Sequence, residues 1–184
     1  MHLFYRLSWL AAAERLVGWD VWSSAVQWGV SAGSLGADCN TPAGTHPCKK
    51  PRCKTFPPIL KRTDISVTAD EKHTICGHFT CQSTSVGYII SCRTCNAAYV
   101  GETGCPLRER MNQHRFSINH EEDTPVSEHF QDGHQPMVSV LQSAPSDTLQ
   151  RRLIEQRWIK RLRQPHSLLR LINRDGGIDA LSLN

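Results

Sequence analysis

The middle of the chain sets short apolar bursts between polar turns, and its later part repeats apolar positions at helical spacing. Val86 to Ser91 is an apolar, β-branched run, and Asn96 to Gly101 is a second of similar type, with the polar Cys92-Arg93-Thr94-Cys95 between them. That pattern predicts a β-hairpin. Gly101-Glu102-Thr103-Gly104 then supplies a turn, Pro106 suits a first helical position, and Leu107, Met111 and Ile118 recur near helical period. Arg110 and His114, four apart on that helix, share a face. Pro125 to Phe130 predicts a short helix stopped by Gly133, and Met137 to Gln142 a third strand with Val138 and Val140 on one face. Ser146 and Asp147 cap a second long helix whose buried stripe is Leu149, Leu153, Ile154, Trp158 and Leu162. Upstream, Ile65 and Val67 alternate as in a short strand. The expected fold is α+β, a small three-stranded antiparallel sheet flanked by helices, with a Cys-rich knuckle before it.

At 184 residues the chain holds one domain with a real core, or one domain plus a small metal-held piece, and is too short for two large domains. We divide it into an N-terminal extension (1–44), a basic Cys/His-rich knuckle (45–82), the α+β domain (83–175) and a tail (176–184). Met1 to Ala13 is apolar but broken by Arg6, runs into Glu14 and Arg15, and lacks a small-residue cleavage site, which argues against a signal peptide. The uncharged run between Asp20 and Asp38 is too rich in Ser, Gly and Gln to span a membrane. Trp9, Trp19, Trp22 and Trp28 either form an amphipathic face or belong to a poorly ordered extension. A net charge of +4 and an isoelectric point near 8.7 suit a polyanionic partner without identifying nucleic acid.

Cysteines and histidines bring in the first chemistry. Eight cysteines at paired spacings read as metal ligands in an intracellular chain or as disulfides in a secreted one. The stretch GTHPCKKPRCKTFPPIL carries Cys48 and Cys53 among Lys49, Lys50, Arg52 and Lys54, cations that either meet phosphates or line a solvated loop. His73, Cys76, His78 and Cys81 follow at high density. Tetrahedral Zn(II) takes four soft or borderline ligands, and Cys92-x2-Cys95 supplies two at a natural bite. The other two are expected from upstream, Cys81 together with Cys76 or a member of the Cys48/Cys53 pair. Disulfides and unligated thiols are the competing readings, and Cys105 reads as a packing residue at a helix start.

With Val86-Gly87-Tyr88 and Tyr99-Val100-Gly101 on the hairpin, and Arg110 and His114 on the helix after it, the chain resembles the GIY-YIG nuclease family. Val and Gly stand where that family's first tripeptide usually has Gly and Ile, while Tyr88 keeps its place. The Cx2C pair between the tripeptides, the upstream cysteines, the phrase YVGET and the phrase PVSEHF with the Gly-His after it are similar to the endonuclease domain of Penelope-like retroelements. The likeness covers roughly residues 45–173. It makes His129 and His134 worth flagging, with a structural role favoured for His129. Another Cys usually follows the second upstream one; Phe56 stands near that place.

The resemblance implies a metal-dependent DNA endonuclease, retroelement-derived, acting in the nucleus and off the membrane. Phosphodiester hydrolysis needs an activated water, charge stabilisation on the phosphoryl oxygens and help for the departing oxygen. By the resemblance Tyr88 is the general base, Tyr99 orients phosphate or water, Arg110 clamps the phosphate and His114 assists by hydrogen bonding or proton transfer. Glu155, at the edge of the apolar stripe and followed by Trp158-Ile159, matches the family's Mg(II) or Mn(II) ligand; the competing reading is a salt bridge to Arg151 or Arg152. Asn173 matches a supporting Asn. Arg151, Arg152, Arg157, Lys160 and Arg161 make the second long helix the expected track for the DNA backbone. The contrasting reading is a zinc-dependent nucleic-acid-binding module that keeps the fold without catalysis. Cutting both strands with one site per chain requires a dimer or two encounters.

Overall fold

The computed structural model describes residues 42–55, 58–131 and 133–174. In chain order the elements are β1 (Gly44–His46), β2 (Asp64–Ser66), β3 (Lys72–Thr74), β4 (His78–Thr80), β5 (Val86–Cys92), β6 (Ala97–Thr103), α1 (Leu107–Asn119), α2 (Pro125–Phe130), β7 (Pro136–Ser143), α3 (Thr148–Leu162) and β8 (Arg170–Leu171). The main sheet runs β7-β5-β6-β8, with β5 antiparallel to β6 and β7, and β6 parallel to β8. The sheet is therefore four-stranded and mixed rather than three-stranded and antiparallel. The three long strands are the expected ones. The addition is two residues long, too short to show an alternation, and is drawn onto the sheet by Leu169, Leu171 and Ile172 packing on the core.

Every residue of β5 is buried because helices cover both faces of the sheet. Tyr88 points toward Arg110 and His114 of α1, whereas the neighbouring Gly87 faces Ile154 of α3. Successive strand residues alternate faces, so α1 and α3 lie on opposite sides. A strand covered on both sides reads as a continuous apolar run, which is what Val86 to Ser91 is. Ile89 and Ile90 are fully or almost fully enclosed, and truncating either to Ala would cost about 2–5 kcal/mol.

The knuckle is built from two small sheets, β1 with β4 in parallel and β2 with β3 antiparallel. It also protects the outer edge of β7. Leu60 N–H donates to Val138 O at 2.9 Å, Val138 N–H to Pro58 O at 2.6 Å, and Val140 N–H to Thr45 Oγ1 at 2.8 Å. Edge groups that would otherwise recruit another strand are paired within the chain.

Several boundaries differ from expectation. Gly101, Glu102 and Thr103 complete β6 instead of forming the turn, because β5 continues opposite them from Tyr88 back to Val86. Pro106 sits at the N-cap of α1, one position before the helix. On α3 the buried residues are Arg151, Trp158, Ile159 and Leu162. Leu149, in the first turn, is half exposed. Asp147 does cap this helix, accepting from Gln150 N–H at 2.8 Å. Most of the N-terminal extension with its tryptophans, Phe56, and the tail lie outside the described residues. Among the described residues no helix is long and apolar enough to cross a membrane.

Candidate active site and metal centres

The register of the hairpin brings the two tyrosines onto one face. Tyr88 stands opposite Gly101 and Ile90 opposite Tyr99, so Tyr88 and Tyr99 are diagonal neighbours within reach of long side chains. Gly101 has a steric reason to be glycine: a Cβ there would sit 2.5 Å from the Tyr88 ring and hydroxyl. The far end of the ring occupies the space over Gly101, and its hydroxyl reaches α1. Arg110 Nε donates to Tyr88 Oη at 3.0 Å, and Tyr88 Oη lies 2.7 Å from His114 Nε2. Because the guanidinium only donates, the phenolic proton is free to go to His114. A neutral His114 with Nε2 unprotonated is the tautomer that can accept it. Its ring also meets Tyr99 edge-on, with centroids 5.5 Å apart.

Electrostatics agree with that assignment. Burial, then the Arg110 charge, pushes the His114 imidazole down to about 3. Burial raises the Tyr88 phenol well above its ordinary value, against the pull of Arg110. Burial and the Glu155 charge raise Tyr99 as well. Glu155 itself is pushed up to about 7, first by burial and then by the Glu102 carboxylate, with Arg110 and Arg152 acting in the opposite sense. Tyr88, Tyr99, Arg110, His114 and Glu155, drawn from two strands and two helices, therefore form one electrostatically linked group. Tyr88 is wholly enclosed, whereas the other four are partly exposed.

Asn173 acts on the backbone of this group. Its side chain accepts from Val100 N–H at 2.9 Å and donates to Val100 O at 2.8 Å, pairing the edge of β6 where β8 has ended. This holds the residue between Tyr99 and Gly101. Arg151 is not part of a basic track. It is buried and ion-paired to Glu102 at 2.6 Å, with a further bond to Thr148 Oγ1 at 2.9 Å. Of the two partners considered for Glu155, Arg151 thus goes to Glu102 instead, on the strand facing this turn of the helix, while Arg152 acts on Glu155 only through its charge. Arg161 is engaged by Glu71 and lies over the Trp158 ring. Arg152, Arg157 and Lys160 face solvent.

The cysteines form two groups, and their membership differs from the expected one. Cys92 and Cys95 are joined by His129 and His134, while Cys48 and Cys53 are joined by Cys81; in each group the ligand atoms lie within 4.8 Å of one another. Cys92 Sγ is 3.2 Å from His134 Nδ1, and Cys95 Sγ is 3.6 Å from His129 Nε2. The edges of a zinc tetrahedron with sulfur and nitrogen ligands are about 3.3–3.8 Å, so these groups could hold a metal ion such as zinc. Burial pushes the Cys92 thiol up, but the bonds to His134 and His129 and the backbone N–H groups of Thr94 and Cys95 outweigh it, leaving it down at about 6. That favours the thiolate a metal binds. Cys81 cannot complete the Cx2C pair because its partners are Cys48 and Cys53, with Cys53 Sγ at 3.5 Å. Burial and those two thiols push Cys81 up to about 12. Cys76 is exposed and joins neither group.

Glu102 was missed as a site residue because it was read as a turn. His129 and His134 were flagged but not joined to the Cx2C pair. Their signal was present, since Cys-x2-Cys followed by His-x4-His is a zinc spacing with a long insertion. Compared with family models, curated proteins and solved structures, the chain matches none, and the site rests on its own geometry.

Proposed function

We propose that this chain is a metal-dependent DNA endonuclease of the GIY-YIG type, related to the endonuclease domain of Penelope-like retroelements. The observation that carries the reading is the Tyr88 phenol held between a guanidinium and a neutral imidazole acceptor, within the field of a half-buried carboxylate. In this reading the phosphate engages Arg110, which can donate two parallel bonds to it and so moves off Tyr88. Water then reaches the Tyr88 oxygen. It passes one proton to that oxygen as the phenolic proton moves to His114 Nε2, so Tyr88 stays neutral and His114 becomes the cation. The raised proton affinity of Tyr88 makes free phenolate inaccessible at neutral pH, and the relay to His114 avoids forming it. Tyr99 orients the phosphate from the adjacent strand.

Glu155 fits a hard divalent cation such as Mg(II) or Mn(II). Its carboxylate is partly withdrawn from water and raised in proton affinity by a second carboxylate, and a cation at that position would relieve both penalties. Such an ion, when bound, stabilises charge on the phosphoryl and leaving oxygens. Arg152, Arg157 and Lys160 offer backbone contacts along α3, and zinc at the Cys/His groups braces the fold.

Plasmid nicking by the purified chain with Mg(II) or Mn(II), beside Glu155→Ala and Tyr88→Phe, tests this directly. The expected result is nicking by the wild type and silence from both variants at unchanged zinc content. A wild type that binds DNA, contains zinc and cuts nothing would replace the reading with a binding module on a nuclease fold.

A further inference from the structure

A concentration of positive charge lies beside the knuckle loop. A groove of about 570 Å³ between the knuckle loop and α1 is lined by Lys50, Arg52, Lys54, Arg108 and Arg115, and among the described residues no acidic one lines it. These five cations exceed the net charge of +4 carried by the whole chain. Arg108 has Glu109 at 3.8 Å with both side chains exposed, a pairing of little consequence. Phe116 also lines the groove. It is 54% exposed, the most exposed large hydrophobic among the described residues, and one face is stacked on His120 at 3.8 Å.

The loop wall is held in a particular shape. Lys49 and Arg52 have φ of 55° and 63°, left-handed conformations uncommon for side chains of this kind. They persist because the chain is tied on both sides: Cys48 and Cys53 converge on Cys81, and Arg115 Nη1 donates across the groove to Lys54 O at 3.2 Å. Backbone held in sparsely populated regions clusters where a surface has a task. Arg108 and Phe116 lie on the other side of α1 from Arg110 and His114, since 3.6 residues complete a turn, while Arg115 with Lys54 reaches round to a neighbouring hollow that His114 also lines.

We infer that this groove is a second nucleic-acid site, one that takes a single strand, with its phosphates along the cations and a base stacked on Phe116. A duplex keeps its bases paired and stacked inside, whereas a single strand offers every base to an aromatic face. An acidic peptide would use the cations and leave the exposed ring unexplained. The inference does not rest on the nuclease reading, because none of Tyr88, Tyr99, Arg110, His114 and Glu155 lines the groove.

The test is fluorescence anisotropy with labelled oligothymidine and the full chain carrying Glu155→Gln, so that strand cleavage plays no part. Arg52→Gln with Lys54→Gln should weaken binding and reduce the slope of log K against log salt by about 1.4, two phosphates at about 0.7 each. Phe116→Ala should weaken oligothymidine binding about tenfold, leave the salt slope unchanged, and leave binding of an abasic strand of equal length unchanged. All three residues are exposed, and equal zinc content and circular dichroism would show that the variants remain folded. Unchanged oligothymidine binding in both variants overturns the site. Equal loss for the abasic strand removes the stacking role, and polyglutamate binding as tightly through the same residues would make this an acidic-peptide surface.

Discussion

Acidification should destabilise this protein through His114, and the effect is large enough to isolate. In the folded chain Nε2 of His114 faces the Tyr88 hydroxyl at 2.7 Å, and that hydroxyl is already accepting from Arg110 at 3.0 Å. Protonating the imidazole would set two donors against each other beside a guanidinium, in a buried place. The ring accordingly titrates near 3 when folded, against 6.5 when unfolded. Because the folded value is the lower one, the stabilisation is complete above 6.5 and is lost as the pH falls toward 3. Between pH 7 and pH 5 the loss amounts to about 2 kcal/mol.

Glu155 works in the opposite sense. Its folded value of about 7 lies above the unfolded 4.5, so its contribution is full below the lower value and is lost as pH rises through the higher. Solvent screening at this partly exposed carboxyl reduces the gain from pH 7 to pH 5 to about 1 kcal/mol. The wild type alone would hide one term behind the other. Urea unfolding at pH 7 and pH 5, with zinc saturating and no other divalent ion, should therefore be run on the wild type and His114→Gln. Zinc release and all other titrations are common to both proteins. The wild type should lose about 2 kcal/mol more than the variant over that interval. Parallel pH dependences would refute the neutral-acceptor assignment and the proton relay built on it.

Four other outcomes follow from the geometry. Gly101→Ala places a Cβ 2.5 Å from the Tyr88 ring, so it should displace the phenol and reduce nicking by about 100-fold or more, with zinc content, read by atomic absorption, unchanged. With zinc bound at both groups, Cys92→Ser and His134→Ala should each remove one equivalent and leave the other, while Cys81→Ser should do the reverse; loss of both equivalents in any single variant would contradict two separate centres. Arg151→Ala leaves the half-buried Glu102 without its partner and should cost about 2–3 kcal/mol in urea unfolding. Arg157→Ala should instead lower the salt slope of duplex binding by about 0.9 with little change in stability.

The elements that announced themselves in the sequence are those whose pattern is local. The hairpin, the short helix from Pro125 and the capped helix from Asp147 each carry their own period or cap, and each is found. What failed was long-range. Arg151 looked like one more surface cation on a basic helix, and only the fold shows Glu102 arriving on β6 to bury it. Leu149 has the right spacing for the apolar stripe but falls in the first turn, where the sheet does not cover the helix. Cys81, close in sequence to the Cx2C pair, proved to belong elsewhere, while His129 and His134, more than thirty residues on, proved to belong with it. Proximity in the chain is a poor guide to ligand sets, because strands and helices separate neighbours and return distant segments to one place.

The position of the Cys/His group within the hairpin gives it a consequence for the tyrosines. Cys92 closes β5 and Cys95 lies in the turn before β6, so an ion held there would fix the length of the connection. That length decides the register. A slip of one residue would turn every side chain of a strand to the opposite face, and Tyr88 would then lose both its seat on Gly101 and its reach to His114. Turn chemistry usually fixes a hairpin register, but Arg93-Thr94 between the two cysteines is not a sequence that favours a tight primed turn. Thr94 N–H instead donates to Cys92 Sγ at 3.4 Å, as a turn folded around a metal-binding thiolate would. From the other side, His129 reaches in from a helix whose Val126 and Phe130 are buried in the core, so the group is anchored to the fold and not only to the hairpin. The Cys/His group and the tyrosine pair are two ends of one constraint: an ion held by the first would set where the strands align, and the second depends on that alignment to within one residue.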